Sequence, residues 1–378
     1  MKFSCARMVC CLVAFSLLPG MSWAAKKKKE KEEVTQTLEV LPDPPAAVKA
    51  DTARLAFFVS PLTTKGLLSQ QVRDSIKALW RMKDIGQIVK LRAFVAGTGD
   101  MRRVQAIVSE MFSEKRQPLP AVSTVQVGGL PLEGAQVILE ATTVKKKPAN
   151  PHGLAFFSGR DVTAPLDPNQ TTMRVAPLAS KSLSQLQQVL EGIQLGPRDV
   201  LRVTCFTSSL DDYAEVRTMI ATQYPAAVQT IVQAQRAPGT AIVECEAVAR
   251  LRAAPAAPVQ LVNPPGLPSS PNYSLVTLVN TPQITLSGTQ LAFRAQDADI
   301  RLAFERLKQS LAQVGTPIEN TVMSSIYPLS NSMAVRIRTL RFEFYDKSRP
   351  PASTMLPFEG LPSLDASFGV DVVAVPGQ

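Results

Sequence analysis

One ending occurs three times in this chain, each time behind the same series of elements. Residues 120–144, 227–249 and 351–375 run from an extended stretch through a proline-bearing turn (Pro131, Pro238, Pro362) into an alternating apolar strand with one acid: Glu140, Glu246 or Asp371. Two short strands about such a turn form a hairpin. Before each hairpin comes a segment closing on an aromatic residue, Met101–Phe112, Tyr213–Tyr224 and Met333–Tyr345, with Val, Ile and Leu at helical spacing. Upstream lie an apolar strand (88–95, 199–206, 320–327), a further helix (Gln70–Met82, Ser182–Gly192, Ala298–Val314) and a first strand ending in Ser60, Ser158 or Ser287. From that serine to the closing acid the spans are 80, 88 and 84 residues, too alike over so many elements to be chance.

The order strand, helix, strand, helix, strand, strand predicts an α/β (α+β) unit whose two helices cover one sheet face. The other face stays apolar, and three copies in one chain can cover one another. The expected partition is 45–147, 148–252 and 273–378, with a charged, proline-rich segment at 26–44 and a proline-rich linker at 253–272. Such a linker reaches ~3.1 Å per residue, ample to cross a domain face.

Residues 1–25 read as a secretory leader: Lys2 and Arg7 precede the apolar Met8–Leu18 and the small-x-small site Ser22-Trp23-Ala24. The apolar stretch is too short to span a bilayer. The expectation is a cleaved leader, a periplasmic or secreted protein, and no membrane attachment afterwards. Cys5, Cys10 and Cys11 fall in the leader without a lipobox, leaving Cys205 and Cys245 on strands. Oxidation could pair these two, but buried free thiols are the preferred reading. One histidine, His152, and no Cys/His cluster argue against a metal site. The net charge is +10, or +8 once Lys2 and Arg7 are removed, and much of it lies in Lys26–Lys29 and Lys145–Lys147. With only 6% aromatic residues, this pattern argues against nucleic-acid binding.

Over about 55–375 the chain resembles the RidA (YjgF) family of reactive imine deaminases. The likeness rests on strands ending in Ser-Gly (Ser158-Gly159, Ser287-Gly288), helices ending in aromatics, the stretches after them, and final strands bearing an acid. It implies three tandem chorismate mutase-like βαβαββ domains. Family members form homotrimers with clefts between subunits, so the implied arrangement is an intramolecular pseudotrimer, monomeric in solution. The short junction at 145–153 implies that the second domain lacks the family's leading strand.

The resemblance also implies a site. An arginine in the family's Arg-Leu-Pro turn would bind a substrate carboxylate, and a last-strand glutamate would activate water, with no cofactor. Only the middle repeat keeps both, as Arg236 and Glu246; the first has Gly129 with Glu140, the third Gly360 with Asp371. The Ser-Gly element becomes Ser60-Pro61 in the first repeat, and the family's lining tyrosine is matched by Tyr273, fourteen residues before Ser287. The arginine of the Pro-Ala-Arg-Ser stretch is replaced by Val122, Gln229 and Ser353, and a helix asparagine by Gln105, Arg217 and Arg338. The implied cleft therefore joins Arg236, Glu246, Ser158 and Gly159 with Tyr273, Ser287 and Gly288. Plainer readings stand beside it: Arg236 as an interface salt bridge, Glu246 pointing into a polar centre, Tyr273 anchoring the linker. Function divides accordingly into hydrolysis of 2-imino or 2-enamino acids, binding of a small carboxylate without turnover, or a scaffold.

Overall fold

A computed structural model describes residues 40–166 and 173–377; the expected leader and residues 26–39 lie outside the described residues. The described chain opens with β1 (Ala47–Asp51). The first repeat follows as β2 (Leu55–Val59), α1 (Leu68–Trp80), β3 (Gln87–Ala96), α2 (Arg102–Glu114), β4 (Ala121–Val127) and β5 (Val137–Val144). The second is β6 (Leu154–Ala164), α3 (Ala176–Gly192), β7 (Val200–Thr207), α4 (Tyr213–Gln223), β8 (Val228–Gln233) and β9 (Ala241–Arg250). After β10 (Val259–Val262) and β11 (Val276–Val279) comes the third: β12 (Gln283–Ser287), β13 (Gln290–Phe293), α5 (Asp297–Ala312), β14 (Thr321–Pro328), α6 (Asn331–Leu340), β15 (Ala352–Met355) and β16 (Ala366–Ala374). The βαβαββ order read from the sequence is thus present three times.

Each repeat forms its own sheet with the same core order: β2-β5-β3-β4, β6-β9-β7-β8 and β12-β16-β14-β15. Edges are shared between repeats. β1, inside the expected first domain, pairs with β12 of the third sheet. β10 and β11, in the expected linker and third domain, extend the second sheet through β6. The second sheet therefore has a leading strand after all, borrowed from downstream, and the strands do not follow the partition 45–147, 148–252, 273–378. Alternating Val-Gln-Leu-Val and Val-Thr-Leu-Val are short enough to read as linker but can pair once brought together.

Each sheet buries a private core under its own two helices: Val72, Ile76 and Ile107 in the first, Leu186 and Ile220 in the second, Phe304 and Ile337 in the third. The opposite faces meet one another. At one end Phe94, Phe206, Tyr327 and Phe358 form an edge-to-face cluster with centroids 5.2–5.7 Å apart; at the other Phe57, Phe156, Ile284 and Leu286 pack together.

Between these clusters lie the three closing acids with three cations. Lys90 binds Asp371 (2.6 Å), Arg92 binds Glu140 and Glu246 (2.6 and 2.7 Å), and Arg202 reaches Glu246 at 3.2 Å. Arg92 also lies over the rings of Phe94 and Phe206. Thr204 donates to Glu140, and Ser123 and Tyr327 both donate to Asp371. Burial works to raise the Glu140 carboxyl, but Arg92, Arg202 and the Thr204 hydroxyl hold it down at about 2. Strand register shows the cations to be unevenly shared. Arg92, Thr204 and Ser325 stand opposite Glu140, Glu246 and Asp371; two residues earlier come Lys90, Arg202 and Met323. The first repeat brings one cation in excess, the second is balanced and the third lacks one, so the third repeat's Asp371 relies on Lys90 of the first, because buried charge is tolerated only when paired.

One expectation is corrected outright. Cys205 and Cys245 stand directly opposite on β7 and β9 and are joined by a disulfide. The choice between thiols and a bond depended on this register, which local sequence does not disclose. Among the described residues no helix is long and apolar enough to cross a membrane, and no His/Cys/Asp/Glu group suits a metal ion.

Candidate functional site

The structure disperses the expected cleft. Glu246 is fully buried in the central ion cluster, in accord with the plainer reading. Arg236 is exposed beyond β8; its backbone N–H donates to Glu359 and its Nε to the Gly128 carbonyl at 3.2 Å. There the three hairpins interlock, with Gly128 so close to the backbone of Gln235 and Arg236 that a Cβ would collide. Ser287 accepts from the Val372 N–H, and Gly288 donates to the Ala46 carbonyl and lies against Val122 of the first repeat. None of these touches Tyr273.

Ser158, Gly159 and Tyr273 do come together, with residues the sequence reading passed over. A cavity of about 70 Å³ between the second and third repeats is lined by Gly159, Asp161 and Glu244, by Asn272 and Tyr273, and by Arg338, Arg341, Ser353 and Met355. Glu244 lies two residues before Glu246 and so shares its sheet face, the one turned away from the helices. A side chain on Gly159 would overlap Oε1 of Glu244, so this acid fits only against glycine. The Met355 N–H approaches the same oxygen at 3.4 Å. Ser158 fastens the cleft, donating to the Ser274 carbonyl at 2.6 Å and accepting from the Ser353 N–H at 2.9 Å. Tyr273, which leads into β11, belongs to this cleft because β11 joins the second sheet.

Arg341 faces the cavity from the third repeat. Helix α6, expected to continue to Tyr345, ends at Leu340 and tightens into a 3₁₀ turn over Arg341–Glu343. That turn carries Tyr345 against Phe304 and Arg341 inward. The guanidinium donates to Ser353 Oγ at 3.0 Å and to the Asn272 carbonyl, while its Nε has no partner and no carboxylate binds it. Burial, reinforced by nearby Arg338, pushes Arg341 down to about 10, although Tyr345 opposes this. Glu244 shifts the opposite way: burial first, then Asp161 and Glu246, push its carboxyl well above the usual range. Burial here favours the neutral form of the carboxyl over the charged one.

Of the two, Glu244 left a signal in the sequence. The position two before each closing acid holds Ile138, Glu244 and Gly369, so the second repeat alone places an acid there. Arg341 was hidden because the resemblance directs attention to Ser353, the position of the family's strand arginine; Arg341 reaches the same spot from the helix end.

Residues 149–251 match the family described as Endoribonuclease L-PSP. The middle repeat is a RidA/YjgF domain. No curated protein matches the chain. Solved structures similar to it include a YjgF-family protein from Mycobacterium tuberculosis (18% identity, 24% of this chain and 77% of that one, TM-score 0.23). Others are a YjgF-family protein from Neisseria meningitidis (22% identity, 29% and 85% covered, TM-score 0.22) and the YjgF gene product of E. coli (25% identity, 26% and 81% covered, TM-score 0.21). The RidA/YjgF domain supplies Gly159, Asp161 and Glu244, and the third repeat supplies both arginines.

Proposed function

We propose that this protein is an exported hydrolase that converts small 2-imino or 2-enamino acids to 2-keto acids and ammonia in the cleft between its second and third repeats. The observation that carries this reading is a buried guanidinium without an acid, Arg341, lining the same small cavity as a buried carboxyl, Glu244, that burial pushes well above the usual range. Arg341, with Arg338 at the rim, receives the substrate carboxylate, for which a guanidinium fork is well matched. Glu244 gives its proton to the imine nitrogen, and the resulting carboxylate takes one from water as the oxygen adds to the C=N carbon. The carbinolamine then collapses: Glu244 protonates the amino nitrogen and takes the hydroxyl proton, the C–N bond breaks, nitrogen leaves as ammonia, and the added oxygen becomes the keto group. An enamino acid first takes a proton at carbon and enters as the imine.

A cavity of about 70 Å³ leaves little room for substrate and water together, which favours carboxylate binding without turnover as the second reading. Ammonia release from an imine generated in situ separates them. Hydrolysis requires acceleration by the purified chain and a loss of about a hundredfold in Glu244→Gln; equal activity in that variant contradicts the assignment. Stabilisation by 2-keto acids without ammonia release selects the second reading. Export rests on residues 1–25 and accords with a Cys205–Cys245 bond, since disulfides persist in oxidising compartments. The chain is expected to run as a monomer on size exclusion.

A further inference from the structure

The three sheets share a core order but not their edges. In the second, the edge strand β6 is covered by β11; in the third, β12 is covered by β1. Both covering strands run antiparallel to the strand they cover. In the first sheet the equivalent strand, β2, is terminal, and among the described residues no strand pairs with its outer side.

Register shows which groups face outward there. The Ser60 N–H donates to the Leu139 carbonyl, which makes Ser60 and Leu139 a hydrogen-bonded pair. The alternation of an antiparallel ladder then turns Ala56 and Phe58 toward β5, and Leu55, Phe57 and Val59 away from it. Asn150 Nδ2 donates to the Leu55 carbonyl from that outer side, so one outward acceptor is taken. Phe57 and Val59 present theirs to no other strand. The sequence of β2, Leu-Ala-Phe-Phe-Val, is apolar, with Ala56, Phe58 and Val59 partly exposed. An edge of this kind is a template for strand addition.

Charge selects the occupant. Val144 pairs with Leu55, so Lys145, Lys146 and Lys147 emerge beside the start of β2. Lys145 Nζ lies 6.0 Å from the Phe58 ring centre, and Arg54 Nε binds the Lys145 carbonyl at 2.6 Å. Asp51 meets Arg54 at 3.9 Å, while Lys146 and Lys147 are exposed.

We propose that the outer edge of β2 is a docking site for an extended segment of another polypeptide, one that adds antiparallel with alternating apolar residues and places acidic residues at its C-terminal end, beside Lys145–Lys147. The site is independent of the cleft between the second and third repeats.

The probe is a fluorescein-labelled peptide with the sequence of residues 274–279 followed by two glutamates, because that strand covers the equivalent edge of the second sheet. The peptide is expected to slow hydrogen exchange at the Phe57 and Val59 amides by about tenfold or more, with affinity falling as salt rises. Combining Lys145→Glu, Lys146→Glu and Lys147→Glu should weaken binding about tenfold while leaving the fold intact. Val59→Pro, which deletes one outward N–H, should weaken it as well. Absence of protection at about 1 mM peptide, equal binding of a lysine-ended peptide, or protection at another edge would each overturn the proposal. So would a dimer of the chain alone whose interface protects Phe57 and Val59, since the edge would then belong to a second copy.

Discussion

The centre and the cleft both bury charge, and they treat it oppositely. At the centre three acids meet three cations within 3.2 Å, and Glu140 stays ionised well into the acid range. In the cleft Glu244 and Arg341 line one cavity, yet Arg341 has no acid and the Glu244 carboxyl is pushed well above the usual range. Both acids, Glu244 and Glu246, stand on β9 two residues apart. The difference teaches that last-strand acids have two uses here: position 246 satisfies the fold, whereas position 244 leaves a charge deficit for a ligand to fill.

Breaking the centre should have the largest effect. Arg92→Met strips the shared partner of Glu140 and Glu246 and is expected to cost about 3–5 kcal/mol in urea unfolding, because an unpaired buried charge remains. The third repeat expressed alone should not assemble into a trimer, since three copies of Asp371 would meet without a cation; a stable trimer by light scattering would refute the shared-charge account.

The disulfide ties β7 to β9 beneath both sites. Replacing Cys205 and Cys245 with alanine should cost about 2–4 kcal/mol, measured in the same unfolding experiment under oxidising conditions. Acid sharpens the contrast further. Glu140 is depressed in the folded state, so its stabilisation is fully present above the ordinary carboxylate value of 4.5 and is lost as pH falls toward about 2. Glu140→Gln should flatten the stability profile across that window. Glu244, raised by folding, contributes in the reverse sense: its share is full below its unfolded value and fades as pH rises through its folded one.

Smaller effects on stability belong to the cleft. Gly159→Ala places a methyl where Glu244 Oε1 lies and should cost about 1–3 kcal/mol while displacing the acid. Arg341→Met removes a buried cation that has no counter-charge and should change stability by less than about 1 kcal/mol.

The threefold repeat, its helices and the order of its strands were legible because apolar periodicity and proline turns are local. What escaped depended on distant partners. α3 begins at Ala176, six residues before the Ser182 read from periodicity, because the Asp212 carboxylate accepts from the Val175 and Ala176 N–H groups. β10 and β11 are too short to stand out from a proline-rich stretch, and only the pairing of β11 with β6 and of β10 with β11 makes them strands. Tyr273 was placed with Ser158 and Gly159, where it lies, but also with Arg236, Glu246, Ser287 and Gly288, which lie elsewhere. Glu246 drew attention as the closing acid, yet the alternation of a strand gives Glu244 the same face and a different environment. Arg236 matched a turn motif, and only the interlocked hairpins reveal its contacts with Glu359 and Gly128.

The most direct test of the central claim is thermal unfolding of three proteins, the parent chain, Arg341→Met and Arg236→Ala, each with and without a millimolar small 2-keto acid. The account predicts that the ligand raises the melting temperature of the parent and of Arg236→Ala but not of Arg341→Met. A rise that survives in Arg341→Met and disappears in Arg236→Ala would contradict it.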